Sequence, residues 1–266
     1  MTLLLLTCIS ALVILYLVLR YNFLTPSVKG LPILMYHKIT PDENSFLSVS
    51  VPNLEQHFDY LQQNNYHTIH FSEFLEIQKS GQKIPPKTII LTFDDAYLNN
   101  YVNLYPLLKR YKFKASIMLP VKYIGKSSSW DTIADEIMNY EQLKELDSEI
   151  VEFGLHSYAH FNYRHAPIEE SEKDILQAIS ELNNNNLKFT EVLVYPYGGF
   201  PRDKKSKKLF IETLQKTGIK LGLRIGNKIN KIPLKAPYEV CRIDIRGTDS
   251  IRDFITKVKK GRVKLF

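Results

Sequence analysis

The chain of 266 residues is long enough for one sizeable domain with a well-buried core. Its 44% hydrophobic and 24% charged residues exclude an intrinsically disordered chain, and its two cysteines exclude a disulfide-stapled scaffold. Solvated helix faces are the simplest explanation of the net charge of +7, and attraction to an anionic membrane surface or glycan is the alternative. We expect no nucleic-acid partner, because no recognition motif accompanies the charge.

The first segment of the chain is strongly apolar. Residues 2–19 carry no charged side chain, and at about 1.5 Å per residue a helix of this length just crosses a hydrocarbon core of about 30 Å. A signal peptide has a basic start and a small-residue cleavage site, which are absent here. The sequence therefore predicts an uncleaved transmembrane anchor over residues 1–24 and a second domain over residues 25–266.

From Leu31 onward, short apolar runs alternate with amphipathic stretches. This alternation is typical of a parallel sheet with helical crossovers, and the number of units predicts a distorted (β/α) barrel of about seven strands. The predicted strands are 32–36, 66–70, 88–93, 115–119, 151–155, 191–195, 220–223 and 240–245. The predicted helices are 54–63, 72–79, 101–110, 131–146, 168–182, 205–217 and 250–259.

Polar residues follow four of the predicted strands, at the point where each strand ends. The carboxyl ends of parallel strands meet at one rim, where active sites of α/β folds lie. We therefore expect two carboxylates, three histidines and a Gly-rich turn to converge there. These residues are His37, Asp94, Asp95, His156, His160 and the turn 196–199.

Two histidines and one carboxylate of this set form a ligand combination that leaves positions open for water and substrate. His156 and His160 are four residues apart, and Asp95 supplies the carboxylate. The adjacent Asp94 points in a different direction and is free for another role. Taken singly, the aspartates could instead cap the next helix, and the histidine pair is weak evidence. The combination predicts a metal site.

Two motifs of this set resemble those of the polysaccharide deacetylases, the carbohydrate esterase family 4 with its NodB-homology domain. They are Thr92-Phe93-Asp94-Asp95 and His156-Ser157-Tyr158-Ala159-His160. The family's Arg-x-Pro-Tyr/Phe motif lacks its arginine here and reads Val194-Tyr195-Pro196-Tyr197. Its late Leu-x-His motif is absent, because no histidine follows His165.

These departures resemble one subgroup, the deacetylases of poly-N-acetylglucosamine, whose motifs are circularly permuted. There the first strand supplies the missing histidine, as Leu34-Met35-Tyr36-His37 does here, and Tyr195-Pro196-Tyr197-Gly198 supports the likeness. The resemblance covers roughly residues 31–245. Together with the apolar first segment, it leads us to expect a membrane-anchored, single-pass enzyme of the cell envelope with an extracytoplasmic catalytic domain, although Arg20 and Lys29 weakly favour the opposite orientation.

The resemblance also implies a role for each residue. Asp95, His156 and His160 bind a divalent metal, with zinc ahead of cobalt, nickel and manganese. Asp94 acts as general base and His37 as general acid. The backbone N–H of Tyr197 stabilises the oxyanion.

A replacement for the missing arginine is also predicted. We expect Arg242, on the last predicted strand, to orient Asp94, with Asp244 joining it. The alternative for Arg242 is a surface ion pair.

Two alternatives concern the ligand and the activity. The substrate is either a poly-N-acetylglucosamine-like polymer or a lipid-linked, undecaprenyl-phosphate amino sugar. A module of another class, an inactive carbohydrate-binding domain, is disfavoured by the intact set of five acidic and histidine residues. The oligomeric state stays open.

Overall fold

The computed structural model describes residues 2–20 and 26–264, and within them the chain forms ten strands and eight α-helices. The strands are β1 (Ile33–Tyr36), β2 (Lys38–Thr40), β3 (Ser48–Ser50), β4 (His67–Thr68), β5 (Thr88–Asp94), β6 (Ala115–Leu119), β7 (Val151–Leu155), β8 (Val192–Val194), β9 (Leu221–Ile225) and β10 (Val240–Asp244). The helices are α1 (Thr2–Arg20), α2 (Val51–Gln63), α3 (Phe71–Ser80), α4 (Tyr105–Tyr111), α5 (Tyr140–Glu145), α6 (Ile168–Asn184), α7 (Lys204–Lys216) and α8 (Ile251–Lys260).

Seven of these strands form a closed parallel barrel. The sheet runs in the order β1-β10-β9-β8-β7-β6-β5, and β1 also pairs with β5, which closes the ring. The short strand β4 pairs only with the first two residues of β5, outside the ring, and β2 and β3 form a separate pair. The predicted (β/α) barrel of about seven strands is therefore confirmed, and each predicted strand has a counterpart.

The alternation of side chains along each strand divides the core into two layers. Ile33, Ile90 and Val240 belong to one buried cluster, together with residues of β6, β8 and β9. Leu34 and Leu91, one residue further along, pack instead in the cluster that includes α2 and α4 to α8, whereas α3 contributes to the first cluster. Because successive side chains point to opposite faces of a strand, the first cluster fills the barrel and the second lies beneath the helices.

One predicted helix is wrong over most of its length. Of residues 131–146, only Tyr140–Glu145 is helical. The preceding segment is held by tertiary contacts instead, since the carboxylates of Asp131 and Asp135 both contact the Lys38 ammonium, at 3.1 and 2.5 Å. These contacts outweigh the modest helix propensity of the segment.

The apolar segment at the start of the chain forms α1. A helix of 19 residues rises only about 28 Å. Across the described ranges 2–20 and 26–264, no helix combines the length and apolarity that crossing a membrane requires. The transmembrane anchor predicted for residues 1–24 is therefore not supported. The predicted boundary between residues 24 and 25 lies outside the described residues.

Candidate active site

Three predicted ligand residues meet at the carboxyl end of the barrel. The Asp95 Oδ1 atom lies 3.4 Å from His156 Nε2 and 3.3 Å from His160 Nε2. Zinc holds nitrogen and oxygen ligands at about 2.0–2.2 Å in a tetrahedron, which separates neighbouring ligand atoms by about 3.3–3.6 Å. The spacing of the three side chains therefore fits a small divalent cation.

Both histidines are oriented through their second ring nitrogen. His156 Nδ1 lies 3.1 Å from the Val194 carbonyl oxygen, which can only accept a hydrogen bond. The proton is therefore on Nδ1, and the Nε2 lone pair is directed toward Asp95. His160 Nδ1 lies 3.0 Å from the Tyr197 hydroxyl. Such partners fix ring orientation in metal sites.

The three residues are almost completely buried, which affects their charge states. Burial lowers the pKa of His156 to about 4 against the opposite effect of Asp94 and Asp95, so its imidazole is neutral at neutral pH. Burial raises the pKa of Asp95, but His160, His156 and His37 lower it more, and the net shift is downward. Asp95 Oδ1 nevertheless has no hydrogen-bond partner. A buried carboxylate oxygen without a donor fits a cation ligand.

The neighbouring Asp94 has a different environment. Both of its oxygens accept hydrogen bonds from Arg242, Oδ1 from Nη1 at 2.6 Å and Oδ2 from Nη2 at 2.7 Å. Burial raises the pKa of Asp94, but the charge and the hydrogen bonds of Arg242 lower it more, so the carboxyl is ionised at neutral pH. His37 Nε2 lies 3.8 Å from Asp94 Oδ2. Arg242 is thus a buried partner of Asp94 and not part of a surface ion pair.

The predicted participation of Asp244 is wrong. Its Oδ2 atom accepts a hydrogen bond from Arg246 Nε at 2.6 Å, while the Arg242 Nε atom is buried without a partner. Arg242 and Asp244 are two residues apart on β10, so their side chains leave the same face at different heights. Arg242 reaches Asp94, and Asp244 lies nearer the rim, where Arg246 is its partner.

Strained backbone accompanies the site. Asp95 and Ala96 after β5, Ser157 and His160 after β7, and Tyr197 after β8 all have positive φ angles, between 51° and 71°. Residues other than glycine rarely adopt this conformation, and it persists where the surrounding structure enforces it. At Tyr197 it directs the side chain so that the hydroxyl reaches His160.

Asp174 supports the site and was missed by the sequence analysis. This buried carboxylate of α6 accepts hydrogen bonds from Ser157 Oγ, from the backbone N–H groups of Tyr158 and Ala159, and from the Tyr163 hydroxyl. It thereby shapes the loop that carries both histidines. A signal existed, because Asp174 lies at helical spacing with the buried positions 171, 175, 178 and 182.

Trp130 also contacts the site. Its ring stacks on His160, with centroids 4.0 Å apart and planes inclined by 19°. The loop that carries Trp130 replaces the predicted helix, so the ring reaches His160 from that loop. His70 does not reach the site, because its Nε2 atom lies 3.1 Å from the Ile150 carbonyl oxygen, just before β7 begins.

Comparison with known proteins identifies one family. The sequence profile of the polysaccharide deacetylases matches residues 81–221, which is more than half of the chain. This segment includes Asp94, Asp95, His156, His160 and Tyr197. His37 and Arg242 lie outside it.

Individual relatives agree with this match. YxkH of Bacillus subtilis, grouped by its name with the polysaccharide deacetylases, is 27% identical over 193 residues, covering 73% of this chain and 63% of YxkH. The poly-beta-1,6-N-acetyl-D-glucosamine N-deacetylase of Staphylococcus aureus is 26% identical over 190 residues, covering 68% of this chain and 62% of that enzyme. The chain thus spans less than two thirds of the length of these relatives.

A solved structure has the same fold. The deacetylase PplD of Streptococcus pyogenes, in complex with acetate, superposes with a TM-score of 0.72 and covers 89% of this chain and 100% of that protein. At 21% sequence identity, the likeness establishes the common fold.

Proposed function

Because the chain belongs to the polysaccharide deacetylase family, we propose that it is a metal-dependent hydrolase that removes N-acetyl groups from an amino-sugar polysaccharide. One observation carries the proposal: two histidine nitrogens face an unpartnered carboxylate oxygen, directly beside a second carboxylate held by Arg242. We assign this activity to the domain over residues 25–266.

Asp95, His156 and His160 are the residues that hold the metal in this proposal. A divalent cation bound there supplies Lewis-acid polarisation of the acetamide carbonyl and lowers the pKa of water. Zinc is the preferred identity, because the donor set is one carboxylate oxygen and two imidazole nitrogens, which lie 3.4 and 3.3 Å from that oxygen.

The side chains around the metal account for the movement of protons. Asp94 accepts a proton from the attacking water, and Arg242 keeps this carboxylate ionised and oriented. His37, close to Asp94, donates a proton to the amide nitrogen as the C–N bond breaks. The products are acetate and a free amino sugar. The backbone N–H of Tyr197 stabilises the oxyanion.

The substrate that we propose is a poly-N-acetylglucosamine-like polymer. The Staphylococcus aureus relative is named for this polymer, and the histidine of the first strand is the feature shared with that subgroup. His37 follows β1, which pairs with both β5 and β10, so it lies beside Asp94 although 57 residues separate the two in sequence.

Acetate release from β-1,6-linked N-acetylglucosamine oligomers tests the proposal. We expect release by the zinc-loaded protein and its loss in Asp94→Asn, with the metal content unchanged. Asn is nearly isosteric with Asp but cannot accept the proton of water. Turnover by Asp94→Asn at the rate of the unmodified protein contradicts the mechanism. Binding of the oligomers without any acetate release supports an inactive carbohydrate-binding module instead.

A further inference from the structure

A cavity of about 230 Å³ shares one wall with the metal-binding residues. Tyr197 lines this cavity, and its hydroxyl contacts His160. The turn after β8 and the carboxyl end of β9 form further parts of the wall. A ligand group in this cavity is therefore separated from the proposed deacetylation centre by a single tyrosine side chain.

Positive charge dominates the cavity lining. Arg164, Arg202, Arg224 and Lys207 are opposed by one carboxylate, that of Glu239. Lys207 Nζ lies 2.9 Å from Glu239 Oε1, so these two charges neutralise each other. In the described part of the chain, no carboxylate lies within 4 Å of any of the three guanidinium groups. The cavity therefore has an uncompensated charge of about +3.

The arginines also have unused hydrogen-bond donors. The Nε atoms of Arg164 and Arg224 are buried without a hydrogen-bond partner. Arg164 reaches only the Gly198 carbonyl oxygen, at 3.5 Å, and the Arg224 side chain makes no hydrogen bond to any residue that the structure describes. Buried donors without acceptors are unfavourable, and a guanidinium group matches phosphate and carboxylate oxygens in a bidentate geometry.

We propose that this cavity binds an oxyanion, a phosphate or a carboxylate, that the substrate carries next to its acetamido sugar. The proposal rests on the proposed function and changes its substrate class from an unmodified N-acetylglucosamine polymer to an amino-sugar glycan that carries such an anionic group. The volume supports it, because cavities for drug-sized ligands measure about 300–1,000 Å³, and this smaller one suits a single charged group. Residues 202–208 include five lysines and arginines, and two of them, Arg202 and Lys207, thereby contribute to a defined site.

Matched ligands provide the test. The metal-loaded Asp94→Asn protein is titrated with a neutral β-1,6-linked N-acetylglucosamine trisaccharide, its monophosphate, an analogue with one uronic acid, and a polyprenyl-phosphate N-acetylglucosamine in detergent. We expect at least one anionic ligand to bind ten times more tightly than the neutral one. The preferred anion distinguishes phosphate from carboxylate, and the polyprenyl ligand distinguishes a lipid source from a polymer.

Substitutions in the same background locate the effect. Arg224→Gln is expected to abolish the preference, and Arg224→Lys to restore part of it, which excludes misfolding as the cause. Lys208→Gln is the matched control, because it removes the same charge from an exposed position on α7. Equal affinity for all four ligands overturns the proposal, and so does an equal loss of preference in Lys208→Gln.

Kinetics separate this proposal from the proposed function. In the active protein, which retains Asp94, the single substitution Arg224→Gln is expected to raise KM for the preferred anionic substrate about tenfold. It is expected to leave KM for the neutral trisaccharide unchanged. If no ligand releases acetate but the binding preference persists, the deacetylase assignment fails and the anion site stands. If acetate is released and Arg224→Gln has no effect on either KM, the anion site fails and the deacetylase assignment stands.

Discussion

Glu152, near the amino-terminal end of the barrel strands, accepts hydrogen bonds from Ser116 Oγ at 2.7 Å, Thr190 Oγ1 at 2.8 Å and the first backbone N–H groups of α3. At the opposite end, Asp95 Oδ1 has no hydrogen-bond donor and lies against two histidine nitrogens. Both carboxylates belong to strand ends of the same barrel. The first carboxylate is therefore a structural link between strands and helix, whereas the second has the environment expected of a cation ligand.

Asp95→Asn changes the carboxylate at the proposed metal site and has the largest expected effect. We expect metal affinity and acetate release to fall by more than about 100-fold, beyond the loss typical for a group that only supports a ligand. Asparagine tolerates the positive φ of this position, so the backbone is retained. Metal analysis and an acetate assay measure both effects.

The stability of metal-free Asp95→Asn supplies the control. Its free energy of unfolding is expected to equal or exceed that of the metal-free parent, because a desolvated charge is removed. A clear loss of stability would show that Asp95 is structural, like Glu152.

Arg242→Met has the next largest effect, because it leaves Asp94 buried without its counter-charge. We expect the free energy of unfolding to fall by about 3–5 kcal/mol, measured by denaturant titration. Adding Asp94→Asn to this variant removes the uncompensated charge, so most of the lost stability is expected to return. If the double variant is as unstable as Arg242→Met alone, the loss comes from packing and not from the ion pair.

The pH dependence of activity follows from the same pair. In the folded protein the pKa of Asp94 is below its ordinary value of 3.8, so its contribution to stability is present above pH 3.8 and lost as pH falls through the folded pKa. A lysine at position 242 retains the positive charge but cannot reproduce the two parallel hydrogen bonds of the guanidinium group, so the pKa of Asp94 rises. We therefore expect the acidic limb of the pH–rate profile to move to higher pH in Arg242→Lys, and an unchanged limb contradicts the role of Asp94 as base.

Glu152→Gln probes the structural end of the barrel. A glutamine provides one acceptor oxygen in place of two, so some donors of Ser116, Thr190 and α3 lose their partner. We expect a loss of about 1–3 kcal/mol in the free energy of unfolding, with metal affinity unchanged. The exposed Glu149→Gln is the control and is expected to change neither quantity.

Tyr197→Phe has the smallest expected effect. It removes the hydroxyl that contacts His160 Nδ1 and retains the backbone N–H. Metal affinity, measured by chelator competition, is expected to fall about tenfold. At saturating metal, kcat should change less than metal affinity does. A large fall in kcat at saturating metal means that the hydroxyl acts directly on substrate.

Much of the site could be predicted because each residue type has a local sequence signal. The apolar strand β5 ends at Asp94 and is followed by Asp95, and β7 is followed directly by His156. The carboxyl ends of parallel strands converge at one rim. Asp174 was missed because its function depends on the loop against which α6 packs. The helix predicted at 131–146 failed for a related reason, since Asp131 and Asp135 are held by Lys38 from a distant segment.

The sequence by itself determined the barrel, through strand–helix alternation, and the set of metal-ligand residues, through their position at strand ends. Only the tertiary structure decided which arginine side chain pairs with which carboxylate. Arg242 and Asp94 are 148 residues apart and meet because β10 and β5 both flank β1, whereas Asp244, two residues later, is paired with Arg246. Such pairings depend on the position of each side chain along the barrel axis and on the direction in which it points. The local sequence pattern does not determine which distant side chains meet in this way.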